Sequence, residues 1–149
     1  MQEQINCNKN IPEKVRDRVS LSLPNAPEYV SIARLTLSGI ANRMGFNIED
    51  IEDLKVAIAE ACTNALKHGC DSNSNYNIVF FICDNKLVID VTDKGKGFDY
   101  EKLQQPDLSK PREGGLGIFI IRSLMDEVEF IESRECGTSI RMSKSLGEA

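Results

Sequence analysis

The chain has 149 residues, of which 28% are charged and 41% are hydrophobic, and its net charge is −5. This length suits a single domain with a sizeable core, and the negative charge argues against a general affinity for nucleic acid or for an anionic membrane. No apolar run approaches the roughly 20 residues that a membrane span requires, and the N-terminus lacks the basic-then-apolar pattern of a signal peptide.

Five cysteines and one histidine limit the chemistry of the chain. The cysteines are scattered and form no C-x-x-C pair, which indicates reduced thiols in a cytoplasmic protein rather than a disulfide framework or a zinc site. A Ser–His–Asp triad or a multi-histidine metal site would have to use His68, and its neighbours in sequence support neither.

The first third of the chain predicts a strand and a helix. Residues 1–14 are polar and are predicted to be frayed, whereas residues 15–23 alternate apolar and polar positions, as a half-buried strand does. A helix is predicted over residues 27–44, because a proline suits its first turn and apolar residues recur at helical spacing. Asn47 or Asp50 is placed to cap the next helix.

Residues 50–69 read as one amphipathic helix closed by a glycine. At about 100° per residue its apolar positions form a continuous stripe, composed of Ile51, Leu54, Ile58, Ala61, Cys62 and Ala65. Four polar residues line one edge of that stripe: Glu60, Asn64, Lys67 and His68. The helix alone is better explained by a solvated polar face, so a functional interpretation of this edge depends on residues further along the chain.

Two strands follow, over residues 77–83 and 86–92, and a tight hairpin turn joins them. Residues 98–114 are polar with few apolar anchors, which predicts a mobile loop that contains one short helix around residues 100–104.

The last third predicts a helix and a second hairpin. A helix opens at residues 114–117, with an apolar stripe predicted from Leu116, Ile120, Ile121 and Leu124, and strands are predicted over residues 127–133 and 138–142. The element order β-α-α-β-β-loop-α-β-β predicts an α/β (α+β) fold. We expect a two-layer sandwich in which a mostly antiparallel mixed sheet carries the helices on one face.

Two glycine motifs add to the polar edge of the second helix. Asp93, Gly95 and Gly97 form D-x-G-x-G directly after a strand, a pattern that a simple turn also produces. Residues 114–117 read G-G-L-G, which is typical of a hinge but also leaves backbone N–H groups bare at the positive end of a helix, where phosphate binds.

The combination is more specific than any of its parts. An acid at a strand end can accept a hydrogen bond from a purine amine, and an asparagine oxygen suits Mg²⁺, which takes few protein ligands. A carboxylate one helical turn earlier is placed to take a proton from an attacking hydroxyl.

With these residues the sequence resembles the GHKL superfamily of ATP-binding domains, and within it the anti-sigma-factor serine kinases RsbW and SpoIIAB. The resemblance covers residues 21–144, is closer to RsbW, and is densest in PEYVSIARLTLSGIANRMGF, IEDLKVAIAEACTNALKHG and EGGLGIFIIRSLMDEVEF. It implies a single domain of the Bergerat type over residues 1–149.

The resemblance implies a role for each residue of the polar edge. Glu60 corresponds to the general base and Asn64 to the Mg²⁺ ligand. Lys67 and His68 lie where the superfamily often places a phosphate-contacting side chain, although a merely structural role is equally open for His68.

The resemblance also implies the rest of the nucleotide site. Asp93 reads adenine with support from Thr138, and Gly95 and Gly97 let the backbone approach the nucleotide. The phosphate-facing helix opens at Gly115, Leu116 and Gly117. Residues 98–114 correspond to the ATP lid, in which the γ-phosphate contact is not fixed by a motif and has two candidates, Lys110 and Arg112.

The implied function is that of an anti-sigma factor and ATP- and Mg²⁺-dependent protein-serine kinase. Such a protein sequesters a sigma factor of RNA polymerase and phosphorylates an anti-anti-sigma protein of the STAS type on serine, in a partner-switching circuit. The family further implies a cytoplasmic homodimer that does not bind nucleic acid or membranes directly. Arg34 matches a partner-binding arginine, with a surface salt bridge as the equal alternative, and the apolar residues of segment 35–40 are one candidate dimer interface.

Two other functions fit this sequence less well. A nucleotide-gated anti-sigma module without kinase activity would have no need of the base that Glu60 provides. The ATP-binding half of a histidine kinase would need a phosphoacceptor histidine on a helical hairpin, and His68 lies instead within the candidate site.

Overall fold

The computed structural model describes residues 11–68, 74–93, 115–133 and 137–147, without the side chains of residues 68, 132 and 133. These residues form five strands and three α-helices, in the order β1 (Val15–Pro24), α1 (Val30–Met44), α2 (Ile48–His68), β2 (Asn75–Cys83), β3 (Lys86–Asp93), α3 (Gly115–Leu124), β4 (Glu127–Ser133) and β5 (Gly137–Ser145). A 3-10 turn, Pro27–Tyr29, precedes α1. The predicted order is confirmed, whereas the short helix predicted around residues 100–104 lies outside the described residues.

The five strands form one sheet in the order β1-β2-β3-β5-β4. Every described pairing is antiparallel, so the sheet is more regular than the mixed one predicted. One face of the sheet shares a core with the helices, to which Ile78, Phe80 and Ile140 contribute. The α+β sandwich with helices on one face is therefore confirmed.

Helix α1 begins and ends as its sequence predicts. Pro27 lies in the 3-10 turn before it, and Gly45 follows it with a φ of 97°, a left-handed conformation that suits glycine. Its inner face is confirmed, because Ala33, Leu37 and Ala41 are fully buried.

Helix α2 begins two residues earlier than the sequence predicts. The Asp50 backbone N–H donates to Asn47 Oδ1 at 2.7 Å, so Asn47 is the residue that caps the helix. The predicted stripe is confirmed: all its members except the partly buried Ile51 lie in the core.

Helix α3 corrects the sequence prediction. Ile118 and Ile121 are its buried anchors, whereas Leu116, predicted to lie in the apolar stripe, is 46% exposed. Nearly every residue of this short helix is apolar, so periodicity does not define one inner face. Because the helix is rotated toward Ile118, its glycine at position 117 faces α2.

Helices α2 and α3 run antiparallel. Gly117, near the start of α3, lies against Glu60 and Asn64 in the second half of α2. At the opposite end, Lys144 Nζ donates to the carbonyl of Leu124, the last residue of α3, and lies 3.9 Å from Asp50 Oδ1 at the start of α2. None of the helices in the described ranges is long and apolar enough to cross a membrane.

Candidate active site

The start of α3 lies directly against the predicted general base and the predicted metal ligand of α2. A Cβ built on Gly117 would lie 2.7 Å from Glu60 Oε2 and 3.9 Å from Asn64 Oδ1. Glu60 and Asn64 are one helical turn apart, so both side chains project toward the same glycine. The predicted juxtaposition of a carboxylate, an amide and a glycine-rich helix start is therefore present in the structure.

Asn64 is buried, but one of its polar atoms has no hydrogen-bond partner. The residue is 3% exposed, and its Nδ2 has no hydrogen-bond partner. An unpaired buried amide costs about 1–3 kcal/mol, and such groups are usually kept for a reason. The amide oxygen is a hard ligand on the side of Gly117 and Glu60, and this donor set fits Mg²⁺, which keeps several of its waters and takes few protein ligands.

Asp93 and Thr138 form the second part of the site, on the sheet. They are paired across β3 and β5, and they are 6% and 1% exposed. The hydroxyl of Thr138 has no hydrogen-bond partner, so it can both donate to and accept from a ligand beside the Asp93 carboxylate. A carboxylate next to a hydroxyl suits the donor-and-acceptor edge of a purine.

The other predicted site residues divide into three groups. Gly115 is buried at the start of α3, Leu116 is half exposed beside it, and Lys67 is exposed near the end of α2. His68 ends α2, but its side chain lies outside the described residues. The remaining candidates also lie outside them: Gly95, Gly97, the loop 98–114, Lys110 and Arg112.

Arg34 lies apart from these residues, on the exposed side of α1. Its backbone carbonyl accepts a hydrogen bond from the Ser38 hydroxyl at 2.9 Å. None of the ion pairs formed among the described residues includes Arg34, and its partner-binding role stays a prediction.

Cys62 lies two residues before Asn64 but is unsuited to nucleophilic chemistry. Burial raises the pKa of its thiol to about 12, although the neighbouring Tyr76 hydroxyl opposes this shift. The thiol therefore stays protonated near neutral pH, and a protonated thiol is a poor nucleophile. The reactive groups of the site are thus the carboxylates, the amide and the hydroxyl.

Sequence reasoning missed one buried charged pair, Asp90 on β3 and Arg141 on β5. Arg141 Nε and Nη2 donate to the two carboxylate oxygens of Asp90 at 2.7 and 2.8 Å. The hydrogen bonds to Asp90 raise the pKa of Arg141. The alternating pattern of each strand predicts which side chains share a face of the sheet. The contact between Asp90 and Arg141 also depends on the register of β3 against β5, and the two residues are 51 positions apart in sequence.

The chain is similar to known proteins over most of its length. A profile of the histidine kinase-like ATPase domain matches residues 23–144. The chain is 46% identical over 142 residues to the serine-protein kinase RsbW of Oceanobacillus iheyensis, which covers 89% of each chain. It is 40% identical over 140 residues to the serine-protein kinase RsbW of Bacillus subtilis, covering 87% of this chain and 86% of that relative.

A solved structure shows the same fold. The RsbU and RsbW domains of a protein from Mycobacterium tuberculosis align with a TM-score of 0.67 at 18% identity. The alignment covers 89% of this chain and 33% of that one.

Proposed function

The chain belongs to the histidine kinase-like ATPase domain family and, within it, to the RsbW serine-protein kinases, and on this premise we propose that it transfers the γ-phosphate of ATP to a serine of a partner protein. The observation that carries this proposal is the contact of Gly117 with both Glu60 and Asn64. It places a base and a metal ligand at the start of a helix whose free N–H groups suit phosphate.

Glu60 acts as the general base. Its carboxylate takes the proton of the substrate serine hydroxyl while the serine oxygen forms a bond to the γ-phosphorus. The bond between that phosphorus and the bridging oxygen breaks, and ADP leaves with the electron pair. Positioning and electrostatic stabilisation supply most of the rate in such a transfer, because the protein forms no covalent bond to the phosphoryl group.

The other site residues hold the nucleotide. Asn64 would hold Mg²⁺ through its amide oxygen, and the ion would supply positive charge against the phosphates. Asp93 accepts a hydrogen bond from the adenine amine, with the Thr138 hydroxyl beside it. In this proposal Gly95 and Gly97 lie near adenine, and Gly115 and Leu116 lie at the helix start. Lys67 and His68 point toward the phosphates. The lid 98–114 covers the nucleotide, and its Lys110 or Arg112 contacts the γ-phosphate.

We further propose that the kinase acts in partner switching in the cytoplasm. It sequesters a sigma factor of RNA polymerase, or binds and phosphorylates a serine-bearing anti-anti-sigma protein, and phosphorylation releases that antagonist. Arg34 contacts the partner, which the exposure of its side chain supports. A pull-down in ATP and in ADP tests this: retention of the same partner in both nucleotides would contradict nucleotide-dependent switching.

The exposed apolar residues of α1 in and next to segment 35–40 form the proposed homodimer interface. Leu35 is 72% exposed and Ile32 is 40% exposed, and a groove that contains Leu35 separates α1 from the edge strand β1. Exposed apolar side chains beside an unpaired strand edge favour association with another chain. Sedimentation analysis of Leu35→Arg should show a monomer, and a dimer unaffected by this change would place the interface elsewhere.

The test of the kinase function is transfer of γ-³²P from ATP to the cognate antagonist. Glu60→Gln should reduce transfer by about 10²- to 10⁴-fold, the usual contribution of a general base, while the Kd for ATP stays unchanged. Glu52→Gln is the matched control, because Glu52 lies on the same helix with a 61% exposed side chain. Normal turnover of Glu60→Gln would refute the base, whereas ATP binding without transfer by the parent chain would favour the nucleotide-gated binding module.

A further inference from the structure

We propose that Gly117 is a positioning residue for the catalytic base. Because glycine has no side chain, it leaves the space that the Glu60 carboxylate occupies. This inference rests on the proposed kinase function, in which Glu60 accepts the serine proton. The position of a Cβ on Gly117 lies 2.7 Å from Glu60 Oε2 and 3.7 Å from Glu60 Cδ. The base therefore occupies the space that any side chain at position 117 would take.

Helix α3 cannot retreat to make room for such a side chain. Ile118 is 1% exposed and Ile121 is fully buried, so the helix is anchored in the core immediately after Gly117. Its last carbonyl, that of Leu124, accepts a hydrogen bond from Lys144 at 2.7 Å. The Lys144 ammonium pairs with a free carbonyl at the helix C-terminus and interacts favourably with the helix dipole, so the far end of α3 is fixed as well.

The side chain of Glu60 is consequently the part that has to move. A carbon atom 2.7 Å from an oxygen is closer than non-bonded contact allows, and a glutamate side chain can relieve the overlap by rotating about its own bonds. A methyl group on residue 117 should therefore displace the carboxylate at little expense in stability. Displacing a reacting group by about 1 Å can reduce a rate about 100-fold.

Asn64 should be much less affected than Glu60. Its Oδ1 lies 3.9 Å from the same Cβ position, an ordinary van der Waals distance. A substitution at position 117 thus affects the two side chains differently, because it moves the base Glu60 and leaves the metal ligand Asn64 in place. A glycine that served only to let the backbone approach phosphate would behave differently, because its substitution would weaken ATP binding.

A double-mutant cycle in the full chain tests the proposal with Gly117→Ala, Glu60→Asp and both together. Gly117→Ala should lower kcat for phosphotransfer about 10- to 100-fold with the Kd for ATP and the Tm unchanged. In the Glu60→Asp background, whose shorter carboxylate withdraws from the Cβ position, Gly117→Ala should change kcat by less than about threefold. Ser123→Ala is the control for added helix propensity, because Ser123 is on the exposed side of the same helix.

Equal losses of kcat from Gly117→Ala in the two backgrounds, or a raised Kd for ATP that accounts for the loss, would overturn the proposal. So would an active parent chain whose kcat is unchanged by Gly117→Ala. A second readout does not depend on turnover: the ¹³C shift of the Glu60 carboxyl should change in Gly117→Ala and not in Ser123→Ala. If the parent chain is inactive but Gly117→Ala still changes the ¹³C shift of Glu60, the kinase function is refuted and the steric inference stands. If Gly117→Ala leaves the ¹³C shift of Glu60 unchanged, the inference itself is refuted.

Discussion

Two sets of buried polar side chains in this protein differ in whether the protein itself satisfies them. On the face of the sheet away from the helices, Arg141 donates two hydrogen bonds to Asp90 and its guanidinium lies 5.6 Å from the centre of the Phe81 ring. In the candidate site, Asn64 and Thr138 are at least as buried, but Asn64 Nδ2 and Thr138 Oγ1 have no partner.

The difference separates groups that serve the fold from groups kept for a ligand. A buried charge is costly unless it is paired, and the two-pronged contact of Arg141 with Asp90 removes that cost. The Asn64 Nδ2 group and the Thr138 hydroxyl instead have no partner in the fold, and this costs free energy that hydrogen bonds to acceptor atoms of a bound nucleotide can offset. Apart from the Tyr76 hydroxyl, which lies beside the Cys62 thiol, the unpaired buried side-chain groups of the described residues are those that we propose to face the ligand.

The largest effect that would test this comparison is on stability. Arg141→Met leaves Asp90 as a buried, unpaired charge and should lower the free energy of unfolding by about 3–5 kcal/mol in urea denaturation. The substitution touches none of the proposed site residues, so kcat below the unfolding transition should stay close to that of the parent chain.

Arg16→Met is the matched control, because Arg16 pairs with Asp84 at 3.5 Å while both side chains are more than half exposed. Its effect should stay below about 1 kcal/mol, as for other surface pairs. If Arg141→Met destabilised the protein no more than Arg16→Met, the Asp90–Arg141 pair would have no structural role and the comparison would fail.

The next largest effect should be a loss of activity with little change in the free energy of unfolding. Asn64→Ala removes a buried Nδ2 donor that has no partner in the fold, so the lost packing is offset and the free energy of unfolding should change by less than about 1–2 kcal/mol. Phosphotransfer should fall by about 10²- to 10³-fold, the effect expected when a group that stabilises transition-state charge is lost. Raising the Mg²⁺ concentration should restore part of the rate.

Stability and activity that fell together in Asn64→Ala would contradict this expectation. Such a result would mean that Asn64 holds the fold, as Arg141 does, rather than a ligand. Ala59→Ser, on the same helix and partly exposed, controls for a small change of polarity in α2.

The sequence was sufficient for the parts of this comparison that depend on local periodicity. The 3.6-residue pattern of α2 predicts correctly that Glu60 and Asn64 share the edge of an apolar stripe. The same pattern failed for α3, where an almost wholly apolar sequence left Leu116 and Ile118 indistinguishable. The contact of Gly117 with Glu60 follows from that rotation, so no local signal could have indicated it.

The pairing of Asp90 with Arg141 was out of reach for a related reason. Each residue alone resembles an ordinary polar position on a strand with one solvent-facing side. Their partnership is set by the register of β3 against β5, and that register depends on packing across the whole sheet. The sequence therefore indicated which residue types the site contains, but not which buried polar groups the fold satisfies.

The smallest of these effects is on ATP affinity and concerns the sheet side of the site. Asp93→Asn replaces a carboxylate acceptor by an amide of the same shape, so a charge-assisted hydrogen bond worth about 1.5–3 kcal/mol should be lost. The Kd for ATP measured by calorimetry should then rise about 10- to 100-fold, by the conversion of 1.4 kcal/mol per tenfold. Thr138→Val removes only the unpaired hydroxyl beside it and should weaken binding less while keeping or improving stability. An unchanged Kd in Asp93→Asn would remove Asp93 from the site, and it would mean that the unsatisfied hydroxyl of Thr138 marks something other than the edge of a purine.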